Sequence, residues 1–153
     1  MPRKIMLVFF LFISEFCYAQ VVVSEFNLSD INRGGMTKAQ AEKLLIIALK
    51  YQKYDLSLDG VFVDGDLQDK HGNPPHPGYY DFSLGYDTPT VGAIDYWGLF
   101  SVSSQTGDIW EINKCERIIF PQLQKIQQEI MKKTGATFAS EVVQRRGLGC
   151  TDE

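Results

Sequence analysis

Asp55-Leu56-Ser57-Leu58-Asp59-Gly60 places oxygen-bearing side chains at the first, third and fifth positions of a stretch whose sixth residue is glycine, the spacing of a calcium loop. The twelfth position departs from that pattern, because Asp66 is shorter than the glutamate that reaches calcium through both oxygens. Pro74, Pro75 and Pro77 also bar the helix that normally leaves such a loop. The stretch therefore reads as a helix-to-strand turn in an acidic surface. His71 and His76, with Asp64, Asp66 and Asp69 close in sequence, are zinc-ligand types. The prolines and glycine between them fix no ligand geometry and no cysteine joins them, so no metal is expected. Covalent chemistry has less support still. The chain has no Gly-x-Ser-x-Gly turn, and neither Cys115 nor Cys150 sits in a sequence motif of a reactive thiol. Carboxylate pairs abound, but an acid-rich surface supplies them without a glycosidase mechanism. No glycine loop of the phosphate-cradling kind occurs, and no cofactor is expected.

What the charged residues do offer is recognition. Between Tyr54 and Asn113 lie ten acidic side chains and a single base, Lys70. Such segregation makes one face strongly negative, suited to a basic protein surface and unsuited to nucleic acid or anionic membrane. Within it, Asp64 to Tyr79 combines three carboxylates, two histidines and three prolines. Prolines reduce the entropy lost when a loop is fixed against a partner. Asp64, Asp66, Asp69, His71, His76 and Tyr79 are therefore the candidate partner-binding residues, with the exposed faces of the neighbouring strands as the next candidates.

These residues need a scaffold, and the hydrophobic pattern supplies one. Tyr96 to Ile112 reads as a β-hairpin about Ser104-Gln105-Thr106-Gly107-Asp108, where Gly107 is free to take a positive φ. Tyr96, Gly98, Phe100 and Val102 share one face of the first arm, Trp110 and Ile112 one face of the second, and both faces are expected to pack on a helix. Tyr80, Phe82, Leu84 and Tyr86 alternate with polar or small residues, giving another strand, and Val61-Phe62-Val63 suggests a short one. Thr37 and Gln40 have capping-box spacing, and Ala41, Leu44, Leu45, Ala48 and Leu49 recur at helical intervals to Tyr51. After Cys115, Pro121 opens a second helix carrying Leu123, Ile126 and Ile130 and ending at Gly135. A shorter helix, Phe138 to Arg146, presents Phe138, Val142 and Val143. Residues 20–35 read as a loose leader or short edge strand.

Met1 to Ala19 has a basic start, an apolar run from Ile5 to Ile13 and a small-residue ending at Ala19, the pattern of a cleaved signal peptide. Export to the periplasm or the outside is expected, leaving one domain, Gln20 to Glu153, with 13 basic and 18 acidic residues and net charge −5. Cys115 and Cys150 are the two cysteines of that chain, and an even count in an oxidising compartment predicts a disulfide between them.

The helix, the strands and the closing Thr106-Gly107-Asp108-Ile109-Trp110 resemble the pattern of cystatin-like and nuclear-transport-factor-like small domains over Thr37 to Ile112, a group including periplasmic modules and bacterial immunity proteins. The expected fold is α+β, a curved antiparallel sheet packed on the first helix with a disulfide-tethered helical C-terminus. The expected function is that of a non-enzymatic immunity or inhibitor protein that blocks a cell-wall-degrading enzyme or toxin with its acidic loop. A calcium- or small-ligand-binding module, or a small enzyme, is the alternative.

Overall fold

The computed structural model describes residues 26–150. The signal peptide, its cleavage point and the Val21–Val23 run lie outside the described residues. Thr37 caps the first helix, α1 (Lys38–Tyr51), through a reciprocal pair: its side chain accepts from the Gln40 backbone, and the Gln40 side chain accepts from the Thr37 N–H at 2.7 Å. The helix buries Ala41, Leu44, Leu45, Ala48 and Leu49, the stripe read from sequence. Gly60 turns the chain at φ +91°, where an added Cβ would sit 2.7 Å from the Asp87 carbonyl.

Five strands follow, β1 (Val61–Asp64), β2 (Tyr79–Asp87), β3 (Ile94–Ser103), β4 (Ile109–Glu111) and β5 (Glu116–Arg117), forming an antiparallel meander in chain order. Gly107 has φ +70° in the β3–β4 turn, as its place in the hairpin requires. Helix α2 (Pro121–Thr134) starts with proline at its first turn and stops at Gly135, which has φ +80°. A 3-10 turn (Phe138–Glu141) and α3 (Val142–Arg146) complete the described chain. Among the described residues no helix is long and apolar enough to cross a membrane.

Both long helices cover one face of the sheet. There Phe82, Leu84, Phe100, Val102 and Ile109 join Leu44, Leu45 and Leu49 of α1 and Leu123, Ile126 and Ile130 of α2 in one core. Each such side chain contributes about 1.5–3 kcal/mol through removal from water. Gln127 donates to the Gly107 carbonyl at 2.8 Å and fastens α2 to the hairpin turn. Phe26, Ile31 and Met36 are also in this core, so the described part of residues 20–35 is a packed segment rather than a loose leader.

The opposite, outer face departs from expectation at three places. A register shift at Leu84/Gly85 leaves Trp97 as an extra residue in β3, so Tyr96 pairs with Gly85 while Gly98 pairs with Leu84. The extra residue reverses the alternation, and Tyr96 lies on the outer face, 65% exposed, instead of packing on a helix. Trp110 and Ile112 do share a face, but it is the outer one. Trp110 packs with Tyr79 and Leu148, while its neighbour Ile109 enters the core. In the C-terminal segment Glu141, Arg145 and Leu148 turn inward, whereas Val143 is 75% exposed.

Cys115 and Cys150 form a disulfide with their Cα atoms 4.9 Å apart. It holds the end of the C-terminal segment against the sheet as that segment crosses the Tyr79–Trp110 half of the outer face.

Candidate functional site

The outer face has two halves. The half beneath the C-terminal segment is sealed over charge. Asp108, with no exposed surface, accepts from Arg117 Nε at 2.5 Å and from Trp110 Nε1 at 2.9 Å, and Arg145 Nε lies 3.8 Å away. Glu141 accepts from the Ser103 hydroxyl at 2.5 Å and the Thr106 hydroxyl at 2.6 Å. Arg117 also stacks over the Phe138 ring at 4.3 Å. Burial raises the Glu141 carboxyl above its ordinary range, with the two hydroxyls pulling it back. Tyr79 is pushed up by burial and by the negative charges of Asp108 and Glu141. These buried charges pair across the sheet and the C-terminal segment and help to seal this half.

The other half is open. Phe62, Gly85 and Tyr96 align across β1, β2 and β3, and Ser83 pairs with Leu99 in the next outer row. The Phe62 ring lies so close over Gly85 that an added Cβ would come within 2.5 Å of it. Leu99 and Tyr96 are exposed, and Asp64 and Asp87 lie exposed at the rim. Beside this surface, a recess of about 70 Å3 is walled by Leu67 and Pro75 of the β1–β2 loop and by Leu99 and Ile112 of the sheet.

Three polar residues meet at the recess. His76 Nδ1 lies 2.7 Å from Asp81 Oδ1 and 3.3 Å from the Ser101 hydroxyl, Ser101 donates to the same Asp81 oxygen, and the His76 backbone N–H reaches Asp81 Oδ2 at 3.2 Å. Asp81 and Ser101 face each other directly in the β2–β3 register. A hydrolytic relay would need the serine on one ring nitrogen and the acid on the other. Here both meet Nδ1, and Ser101 has no exposed surface, so the trio orients an imidazole and presents no nucleophile.

The sequence-derived loop residues separate into two groups. Asp64, Asp66, Asp69 and His71 are exposed. Asp64 accepts from the Asp66 N–H at 2.9 Å, and Asp66 pairs with Lys38. Asp69 accepts from the backbone of His71 at 2.8 Å and of Asn73 at 2.9 Å. The Asn73 and His71 backbone bonds hold the Asp69 carboxyl below its ordinary value, and Lys38 does the same for Asp66. His76 lies half-buried at the recess, while Tyr79 is 3% exposed beneath the C-terminal segment. In the turn before β1, Asp55 is engaged by the Ser57 hydroxyl and N–H at 2.6 and 3.0 Å. Among the described residues no three His, Cys, Asp or Glu side chains come together as a metal site. Sequence reasoning missed Asp81 and Ser101, whose only signal was their position on the polar side of two alternating strands.

Comparison with known proteins connects this architecture to a family. The family model described as "T6SS, Immunity protein Tgi2PP" matches residues 35–142. Among solved structures, the chain is similar to one in a type VI secretion system effector-immunity complex from Pseudomonas protegens. The identity is 55%, covering 83% of this chain and 99% of that one, and the TM-score is 0.79. No curated protein matches. The family match runs past the Thr37 to Ile112 span of the sequence resemblance and takes in α2 and the 3-10 turn. It supports the immunity-protein part of that resemblance and does not bear on the cystatin-like or nuclear-transport-factor-like part.

Proposed function

The chain belongs to the T6SS immunity protein Tgi2PP family, and from that premise we propose that it is the immunity half of an effector–immunity pair, a non-enzymatic protein that binds and silences a toxin. The observation that carries this reading is the 55% identity to a chain of an effector-immunity complex, over almost the whole of that chain. The geometry gives the reading a surface. Exposed Asp64, Asp66 and Asp69, on a loop stiffened by three prolines, rim an open sheet face in a segment with ten acids and one base. A basic cleft on the toxin is the complementary shape and charge. His71 belongs to the exposed rim and His76 to its inner edge, whereas Tyr79 is buried with Trp110 and Leu148 and offers a partner no surface.

The compartment follows from where such a protein must meet its toxin. The signal-like Met1 to Ala19 and the Cys115–Cys150 disulfide favour the periplasm, where the cell wall is the polymer a toxin can attack, so a cell-wall-degrading enzyme is the proposed target.

The test uses the effector of the Pseudomonas protegens pair, directed to the periplasm of a host cell. Co-expression of the full chain should restore growth, the same chain lacking residues 1–19 should not, and the purified proteins should form a 1:1 complex. Replacing Asp64, Asp66 and Asp69 by Asn should weaken that complex and flatten its salt dependence with the melting temperature nearly unchanged. Unprotected cells together with no complex in solution would sink the reading. An unaltered triple variant would remove the loop from the interface.

A further inference from the structure

We infer that the free edge of β3, Ile94 to Tyr96, receives an extended segment of the toxin as an added strand, one that sets a basic side chain opposite Asp95. The inference rests on the toxin-binding reading and adds to it the element through which the two proteins join. Strand β4 flanks β3 only from Phe100 to Val102. At Leu99 the carbonyl accepts from the Ile112 N–H at 2.8 Å and the N–H donates to the Asn113 side chain at 2.8 Å, and there the cover stops. The ladder fixes which groups are left. Asp87 donates its N–H to Gly60 on the β1 side and Thr88 donates to the Ala93 carbonyl, so Ala93 and Asp95 turn their backbone polar groups to β2 while Ile94 and Tyr96 turn theirs outward. Among the described residues neither outward-facing N–H has a hydrogen-bond partner, and the two residues are 49% and 65% exposed.

The side chains around the edge choose the occupant. Of the eight large apolar side chains exposed among the described residues, four, Val91, Ile94, Tyr96 and Leu99, lie on or beside this edge, so an incoming strand buries apolar surface while it extends the ladder. Asp95 alternates with Ile94 and Tyr96 and projects from the other face, where its carboxylate accepts from Trp97 Nε1 at 3.1 Å. A strand whose residues run apolar, basic, apolar sets its cation across from that carboxylate. The same charge argues against a second copy of this chain. Symmetric antiparallel pairing of two copies, Ile94 against Tyr96, puts their Asp95 carboxylates directly opposite each other, like charge against like.

Two substitutions separate strand addition from side-chain contact alone. Tyr96→Ala and Tyr96→Pro both remove the ring, and proline also removes the N–H, which bonds nothing within the chain and whose loss an edge strand tolerates in this orientation. Strand addition predicts that Tyr96→Pro binds the Pseudomonas protegens effector at least tenfold more weakly than Tyr96→Ala, with the two melting temperatures alike. Equal affinities would overturn the inference while leaving the immunity reading in place, whereas a parent chain that fails to bind overturns both. Asp95→Lys should bind at least tenfold more weakly than the parent at low salt and approach it at high salt. Unchanged or tighter binding by that variant would overturn the choice of a basic residue.

The unaltered protein supplies a measurement that does not depend on a variant's folding. Hydrogen exchange followed by NMR should show the Ile94 and Tyr96 amides exchanging rapidly in the free chain and at least a hundredfold more slowly in the complex. Slow exchange in the free chain, or equal rates in both states, would overturn the inference. Sedimentation of the free chain should show a monomer, and a dimer abolished by Tyr96→Pro would assign the edge to a second copy instead.

Discussion

Replacing both Cys115 and Cys150 by serine tests how the sealed half of the sheet is held. The bridge spans 35 residues, and closing a loop of that length removes about 3.8 kcal/mol of entropy-derived stability from the unfolded chain at 25 °C in the chain-entropy model. For a domain of this size, about 4 °C of melting temperature accompanies each kcal/mol, so the double variant should melt roughly 10–15 °C lower. The loss should also have a place. Leu148 and Gly149 donate backbone hydrogen bonds at 3.0 and 3.1 Å within the last turn, and Leu148 packs against Tyr79 and Trp110, all close to the bridge. Amides of residues 138–150 should therefore exchange well before those of β2 and β3, whereas in the bridged protein the difference should be smaller. Calorimetry and hydrogen exchange with mass spectrometry read the two effects. A fall of less than about 3 °C, with unchanged exchange in residues 138–150, would refute the claim that the bridge secures this cover.

Three further outcomes are expected. Burial raises the Glu141 carboxyl in the folded state, so its contribution is fully present below the unfolded pKa and is lost as pH rises through the raised folded value; urea titrations of Glu141→Gln should show a flatter pH dependence than the parent across that interval. Gly107→Ala must place a Cβ at φ +70°, 2.8 Å from Ile130 Cδ1 and 3.0 Å from Leu44 Cδ2; strain and overpacking together should cost about 2–4 kcal/mol by chemical denaturation. Millimolar calcium should leave the melting temperature unchanged, and a rise abolished by Asp59→Ala would show that the Asp55 to Asp66 stretch binds it after all.

The elements that were legible in the sequence are those with an unbroken period. Leu44, Leu45, Ala48 and Leu49 repeat at helical spacing behind a capping box, and Phe82 and Leu84 alternate without interruption, so α1 and β2 could be placed and faced correctly. Tyr96 was misplaced because one surplus residue at Trp97 reverses every side chain before it in β3, and neither flanking glycine reveals that surplus without the partner strand's register. The C-terminal segment misled for a different reason. Val142 and Val143 have the apolar character of core residues, yet Glu141 and Arg145 are buried because Ser103, Thr106 and Asp108 lie across from them to satisfy their charge. The recess was illegible because His76, Asp81 and Ser101 are brought together by strand pairing, over a separation of up to 25 residues.

The alternation along β2 and β3 also bears on how the toxin-binding surface proposed above would change over generations. Phe82, Leu84, Phe100 and Val102 face the helices, while Ser83, Leu99 and Ser101 between them face outward. A mutation at Leu99, or at Phe62 or Tyr96 in the neighbouring row, can alter what the open surface selects without disturbing the helix-packed layer behind it. On that proposed reading the same strands follow a drifting toxin while their folding information, written on the alternate residues, is inherited intact.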